Sequence, residues 1–264
     1  MNILETIILG LIQGLTEFIP ISSSGHLVIA QQIFNGGSDH LFLEFINIGT
    51  VLALIVFFRK KIVDICRDVF IHKNYTLARN ILITAIPAGA IGYLLAGFIA
   101  SSPFFGSLLT VTVTLAVVGT IMILIDKLPH ASQIDDGAKL PASRALIIGL
   151  AQVFALIPGV SRSGSTIIAG RLMGLASAPA AEYSFLASLP IMLGVTLKVF
   201  ITSGDRAYFM EHLPVLLLSN AFAFISGLLA IGFLIKYLGK HGLSLFGWYR
   251  VGLAAILAVY LLLQ

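Results

Sequence analysis

The sequence predicts an all-α polytopic membrane protein that forms one integral membrane domain over residues 1–264. Three observations predict this class. The first two are that 58% of the residues are hydrophobic and only 11% are charged. Soluble domains are usually about a quarter charged. The third observation is that six apolar blocks each approach the roughly 20 residues that a helix needs to cross a bilayer. The blocks lie near 42–58, 81–100, 106–125, 182–202, 214–235 and 245–263.

Two further apolar segments are versions of one another and are interrupted by Gly, Pro and Ser. Residues 10–30 align without a gap to residues 149–169, with matches at Gly, Leu, Gln, Ser-x-Ser-Gly and Ile-Ala. Residues that suit a break in a helix are Pro20, Gly25, Pro158, Gly159 and Gly164. Such paired, interrupted segments indicate a functional site near the middle of an inverted-repeat membrane protein.

Basic residues are unevenly distributed among the connections. Six of the sixteen Lys and Arg residues lie in 59–79, three in the central connection 127–144 and two in 236–240. Short loops rich in Lys and Arg stay on the cytoplasmic side, so these three connections are predicted there. The connections with at most one basic residue are predicted outside, namely 31–41, 101–103 and 203–213.

All basic connections fall on one side of the membrane only if each interrupted segment is a re-entrant helical hairpin that enters and leaves on the same side. Each half of the chain, about 1–126 and 140–264, then contains one hairpin and three transmembrane helices. Because three is odd, the second half is predicted to be inverted relative to the first. The hairpin tips are expected to meet near the midplane, and both termini to lie outside. The helix that restarts after each tip favours an anion through its free N–H groups.

Composition also excludes several classes of function. The single cysteine, Cys66, permits neither a disulfide framework nor a thiolate metal cluster within one chain. The formal net charge of +4 does not indicate nucleic acid binding, because the basic residues are dispersed among loops. Contacts with membrane lipids are expected instead. No Lys or Arg precedes Arg59, so the N-terminus lacks the basic start of a secretory signal and is expected to be retained.

Glu17 lies in the apolar part of the first interrupted segment. An ionisable group there is costly unless it faces a cavity or a partner. Glu17 is therefore interpreted either as a neutral carboxyl that bridges helices or as a general base or metal ligand. Gln13 lies one turn earlier and is predicted to share its helical face.

His26 and the serines Ser22, Ser23 and Ser24 follow Glu17 in the same segment. The imidazole is able to act as base, acid or phosphoryl acceptor. A functional interpretation is favoured by the neighbouring hydroxyls, since an activated nucleophile needs a base beside it. The structural interpretation is a buried histidine, with serines that cap or bridge helices.

The second segment carries Ser161, Arg162, Ser163 and Thr166 at the corresponding place. Hydroxyls and backbone donors around one guanidinium suit a phosphate group. Arg171 lies further along the segment and is expected to reach the cytoplasmic interface by snorkelling.

Other residues are interpreted as packing or support. Glycines four residues apart match the close-packing pattern of membrane helices, and the pairs are Gly10 with Gly14 and Gly170 with Gly174. Glu44 and Glu182 occupy nearly corresponding places early in a span of each half. They are interpreted as partners of a hairpin backbone at least as readily as catalytic groups.

Gln13-x-x-x-Glu17 followed by Pro-Ile-Ser-Ser-Ser-Gly-His26, together with Pro158-Gly-Val-Ser-Arg-Ser-Gly-Ser-Thr166, resembles the two signature motifs of the bacterial undecaprenyl-diphosphatases, also called bacitracin-resistance proteins. The resemblance covers the whole chain in length, hairpin spacing and apolar layout. It implies an enzyme of the bacterial cytoplasmic membrane that removes the terminal phosphate of undecaprenyl diphosphate and regenerates the lipid carrier of cell-wall synthesis. The active site is expected to open to the outer face.

The resemblance also implies roles for the matching residues. Glu17 is the acidic catalytic or metal-associated residue, Ser23 and His26 are the candidate nucleophile and base, and Arg162 is a phosphate clamp. Residues predicted to bind the substrate are Gln13, Ser22, Ser24, Ser161, Ser163 and Thr166. The family's dependence on a divalent cation implies Mg²⁺ or Ca²⁺, which favour oxygen ligands. Gln13 stands where some members have glutamate, so this position offers a metal no charge.

A transporter or lipid flippase is the alternative, because inverted repeats with an anion site at the midplane are also a transporter design. The clustering of Glu17, Ser23 and His26 on one hairpin favours the enzyme, since anion transport needs no base beside a nucleophile. The sequence leaves open whether Ser23, His26 or water attacks first, which metal binds, and whether the chain forms a homodimer.

Overall fold

The computed structural model describes residues 2–34, 40–128 and 134–263, and its regular elements there are helices. The α-helices are α1 (Ile3–Phe18), α2 (Ser23–Ile33), α3 (His40–Phe57), α4 (Arg59–Phe70), α5 (Thr76–Leu94), α6 (Ala96–Ser101), α7 (Leu108–Ile125), α8 (Ala142–Val153), α9 (Arg162–Leu172), α10 (Ser177–Ile201), α11 (Ser203–Glu211), α12 (Leu213–Leu238) and α13 (Ser244–Leu262). Residues 35–39, within the predicted outer loop 31–41, lie outside the described residues.

Each of the six predicted spans corresponds to an apolar helical segment. Five are single helices long and apolar enough to cross a bilayer, namely α5, α7, α10, α12 and α13. The sixth is α3, which is followed directly by α4 at an angle of 70°. This bend places the basic residues at the start of α4 outside the axis of the apolar span. The predicted class, an all-α polytopic membrane protein, is confirmed.

Each interrupted segment forms a pair of short helices. Residues 19–22 separate α1 from α2, and residues 154–161 separate α8 from α9. These four helices have 16, 11, 12 and 11 residues, fewer than the roughly 20 of a full span. The first helix of each hairpin packs on a helix of the other half, α1 along α12 and α8 along α5, whereas α9 packs mainly on α10 of its own half. The opposite orientation of the two halves in a membrane stays a prediction.

Small residues allow α1 to approach α12 closely, as predicted. A β-carbon placed on Gly14 would lie 2.0 Å from Ser226 Oγ, and one on Gly10 would lie 2.5 Å from the carbonyl oxygen of Ser219. Any larger residue would therefore push the helices apart. The packing interpretation is wrong for Gly174, which has a φ of 98° just after α9 and so serves a turn.

Glu44 and Glu182 pair with lysines of the opposite half. Lys61 Nζ lies 3.1 Å from Glu182 Oε1, and Lys198 Nζ lies 3.9 Å from Glu44 Oε1. The interpretation of these carboxylates as partners of a hairpin backbone is thus replaced by two ion pairs in related places. Both pairs are partly exposed, so each adds little to stability.

Arg171 reaches a partly buried partner at the end of α7, and its predicted place at the cytoplasmic interface stays a prediction. Its side chain is only 3% exposed and forms an ion pair with Asp126, which follows α7. Asp126 Oδ2 also accepts from the backbone N–H of Ser244 at 2.6 Å. Burial raises the pKa of Asp126, but the hydrogen bonds from Ser244 and Arg171 outweigh burial and leave the pKa below its usual value. This cluster joins the ends of α7 and α9 to the start of α13, so Arg171 has a structural partner.

Candidate active site

Both hairpins break at a serine with left-handed backbone. Ser22 and Ser161 each have a φ of 76°, a conformation that costs a residue other than glycine about 1–3 kcal/mol. Each hydroxyl caps the helix that restarts, since Ser22 Oγ accepts from Gly25 N at 3.3 Å and Ser161 Oγ accepts from Gly164 N at 3.1 Å. These two predicted substrate-binding serines therefore hold the shape of the hairpin tips.

Glu17 lies at the end of α1 and connects the two tips. Its Oε1 accepts from Arg162 Nη2 at 2.6 Å, which joins the first hairpin to the second. Its Oε2 accepts from Ser23 Oγ at 2.6 Å and from Gln13 Nε2 at 3.1 Å. The side chains of Glu17 and Arg162 are only 12% and 17% exposed. The predicted meeting of the tips is therefore seen in direct contacts between catalytic candidates.

Gln13 shares the helical face of Glu17, as predicted, and its partner Asn47 was missed. Gln13 Nε2 donates to Asn47 Oδ1 at 2.6 Å as well as to Glu17. Asn47 is anchored in turn, because its Nδ2 donates to the carbonyl of Leu43 at 2.9 Å. An amide fits this place, since it donates to a carboxylate where a second carboxylate would repel it. The available signal was an asparagine inside an apolar span.

Arg162 has a terminal nitrogen, Nη1, left for a ligand. Nη2 is used by Glu17, whereas Nη1 is buried and has no hydrogen-bond partner among the described residues. A buried polar group without a partner loses its hydration and gains nothing in return. An anion between the hairpin tips would supply the partner, so this atom points to a bound anionic group.

His26 is held away from the role that its spacing suggested. Its Nδ1 lies 2.7 Å from the carbonyl oxygen of Ser22, and its Nε2 lies 2.7 Å from Tyr249 Oη. Ser23 instead donates to Glu17, and no hydrogen bond links Ser23 to His26 in the described part of the chain. The group beside the candidate nucleophile is therefore a carboxylate rather than an imidazole. Ser24 Oγ lies 3.2 Å from Ser22 Oγ.

The remaining candidates of the second hairpin are mostly engaged within the fold. Ser163 Oγ lies 3.2 Å from Ser161 Oγ and donates to the carbonyl of Glu17 at 3.4 Å. Thr166 Oγ1 donates to the carbonyl of Arg162 at 2.8 Å and also contacts Ser184 of α10. Ser161, Ser163 and Thr166 are all buried. Arg162 is thus the side chain of this tip with a donor still available.

The donor set limits how a divalent cation is held. Among the described residues no three His, Cys, Asp or Glu side chains are grouped as a metal site, and Glu17 is the carboxylate at the tips. Mg²⁺ commonly uses one or two carboxylates together with substrate phosphates rather than a cage of protein ligands. The described residues therefore form no closed metal site, and Glu17 would be the protein ligand of any cation held here together with a phosphate.

These features define a polytopic helical membrane protein with a cluster of polar side chains between two interrupted segments, in which one buried guanidinium nitrogen has no partner among the described residues. Residues 6–256 match the model of the family described as Bacitracin resistance protein BacA, and the chain belongs to this family. The resemblance found in the two motifs is thereby confirmed.

Named relatives are similar over nearly their whole length. Undecaprenyl-diphosphatase 2 of Paramagnetospirillum magneticum is 32% identical over 99% of this chain and 100% of that protein. Undecaprenyl-diphosphatase of Methanococcus vannielii is 37% identical over 93% of this chain and 95% of that protein. Undecaprenyl-diphosphatase of Nitrosomonas europaea is 34% identical over 96% of this chain and 93% of that protein.

Proposed function

We propose that this protein hydrolyses undecaprenyl diphosphate to undecaprenyl phosphate and inorganic phosphate, and so confers resistance to bacitracin. The family description and the names of the relatives support this activity. The structural observation that carries it is the buried, unpartnered Nη1 of Arg162 beside the carboxylate of Glu17 and the hydroxyl of Ser23. An anion binder needs the first of these groups, whereas a hydrolase needs all three.

In this proposal the terminal phosphate binds Arg162 and the N–H groups at the starts of α2 and α9. Phosphoryl transfer depends mainly on positioning and on neutralising oxygen charge. An oxygen attacks the terminal phosphorus, the anhydride P–O bond breaks, and undecaprenyl phosphate leaves. Glu17 accepts the proton of the attacking oxygen. If a water attacks, inorganic phosphate forms directly; if Ser23 attacks, a second step follows in which water cleaves the phosphoserine bond, releases inorganic phosphate and returns a proton to the Ser23 oxygen. His26 is less suited to attack because both ring nitrogens have partners.

A divalent cation, Mg²⁺ or Ca²⁺, belongs to the proposal, and Glu17 together with the phosphate oxygens of the substrate would hold it. When bound, such an ion neutralises charge on phosphate oxygens. Purified protein is expected to release phosphate from C55 and shorter isoprenyl diphosphates, and a chelator is expected to abolish this release until Mg²⁺ or Ca²⁺ is restored. Phosphate analysis after detergent assay measures both effects.

Two results would contradict this proposal in different ways. Activity that persists in chelator would contradict the proposed metal requirement but not the proposed hydrolysis. Movement of the intact lipid diphosphate across sealed vesicles without phosphate release would favour the transporter alternative.

The finer localisation is also proposed: the bacterial cytoplasmic membrane, with an active site open to the outer face. Ser101 and Asp135 are both exposed and lie in connections predicted on opposite sides. In a Cys66→Ser background, Ser101→Cys is expected to react with an impermeant thiol reagent in intact cells, while Asp135→Cys reacts only after lysis. Equal labelling of both in intact cells would contradict the two-hairpin topology. The background substitution is needed because Cys66 is itself exposed.

A further inference from the structure

Arg250 is a charged residue fully buried in the apolar helix α13. Its exposure is 0%, and it is the largest of the fully buried side chains. It forms no salt bridge with a carboxylate within the ranges that the structure describes. Burying an ionised group without a counter-charge costs several kcal/mol, so its remaining contacts need to compensate.

Those contacts are backbone carbonyls in the breaks of both hairpins. Arg250 Nη1 donates to the carbonyl of Pro20 at 3.1 Å. Nη2 donates to the carbonyl of Gly159 and, at 3.2 Å, to that of Val160. Carbonyls at a break have lost their helical partners, and inside a membrane protein they need replacements. The planar guanidinium supplies several donors in fixed directions, which a lysine cannot do.

Packing of α13 on α7 holds the backbone of α13 close enough to the hairpin breaks for Arg250 to reach their carbonyls. A β-carbon placed on Gly119 would lie 2.9 Å from Arg250 Cβ, and one on Gly247 would lie 2.6 Å from the carbonyl oxygen of Gly119. The two helices therefore lie in close contact beside Arg250. Helix α7 also contacts the second break directly, because Thr114 Oγ1 donates to the carbonyl of Pro158 at 2.8 Å.

We infer that Arg250 is a positioning residue that fixes the two hairpin tips relative to each other and thereby sets the contact between Glu17 and Arg162. Pro20 is three residues after Glu17, and Val160 is two before Arg162, so movement of either carbonyl displaces a catalytic candidate. Arg250 acts through the backbone and needs no contact with the substrate. The inference rests on the proposed hydrolase function.

The neighbouring Tyr249 adds a contact between α13 and His26 of the first hairpin. Tyr249 Oη lies 2.7 Å from His26 Nε2, and the two rings stack with centroids 5.7 Å apart. One turn of α13 therefore contacts two residues of the first hairpin, Pro20 and His26, and two of the second, Gly159 and Val160.

Hydrogen–deuterium exchange of the purified protein tests the positioning without any assay of activity. Arg250→Met and Arg250→Lys are expected to speed exchange about tenfold in both 19–26 and 157–164. The matched control is Arg206→Lys, an exposed arginine of α11 outside both hairpins, which should leave both segments as in the unsubstituted protein. Faster exchange confined to α13, or uniform over the chain, would overturn the inference. If Arg250→Met does not fold, Arg250→Lys alone decides.

Kinetics give the second test. Arg250→Lys is expected to lower kcat by roughly tenfold with KM within about twofold, because misplaced groups slow the chemistry more than they weaken binding. Combined with Arg162→Lys, it should add less than its separate effect, because both act on one contact. Normal exchange and kcat in an active preparation would overturn the inference. Failure of the unsubstituted protein to release phosphate would instead refute the proposed function, while the exchange result would still stand.

Discussion

Arg162→Lys is expected to lower kcat/KM by about two orders of magnitude, which corresponds to roughly 3 kcal/mol of transition-state stabilisation. Arginine offers a rigid fork, and here its two terminal nitrogens have separate tasks: Nη2 holds Glu17 at 2.6 Å, while the buried Nη1 is free for a phosphate oxygen. Lysine keeps the charge but places it on one flexible nitrogen, so it cannot serve both partners in the same geometry.

Steady-state phosphate release in detergent measures this effect, and Arg206→Lys is the matched control. Arg206 is exposed on α11, outside the hairpins, so its exchange should leave kcat/KM unchanged. Arg171 would be a poor control, because it is buried against Asp126. Equal and mild effects of Arg162→Lys and Arg206→Lys would mean that Arg162 supplies only general positive potential.

The hairpins were predictable because their signal is local. Breaks need proline, glycine and serine close together in an apolar run, and the gapless repeat displayed this pattern twice. The meeting of Glu17 and Arg162 followed from one further step, the assumption that two such tips face each other. Short-range chemistry and internal symmetry therefore predicted the centre of the candidate site.

The support of the site was not predictable in the same way. Asn47 contacts a residue 34 positions away, and Arg250 contacts residues 90 to 230 positions away. No periodicity in the sequence records such pairings. Each nevertheless left a weak signal, a polar residue in an otherwise apolar span. Buried polar groups in a membrane protein need partners, so each such residue marks a contact whose other member the sequence does not name.

His26 shows how proximity in sequence misleads at a helix start. It follows Ser23 by three residues, yet both belong to α2, and Nδ1 of His26 turns back to the carbonyl of Ser22. The serine hydroxyl meets Glu17 across the break instead. A hairpin brings the residue before the break, Glu17, against the residues after it. Ser23 therefore contacts Glu17 rather than His26, although His26 is nearer in sequence.

The second large effect is expected for Glu17→Gln, which should reduce hydrolysis by about two to three orders of magnitude, the range lost when a positioned base is removed. Glutamine keeps the shape and accepts a hydrogen bond from Ser23, but it cannot take a proton and leaves Arg162 without its counter-charge. The variant should still insert and purify. Glu211→Gln, at an exposed residue of α11, is the matched control and should retain full activity. If Glu17 were only a neutral bridge between helices, the amide would serve about as well, and near-normal phosphate release by Glu17→Gln would establish that simpler role.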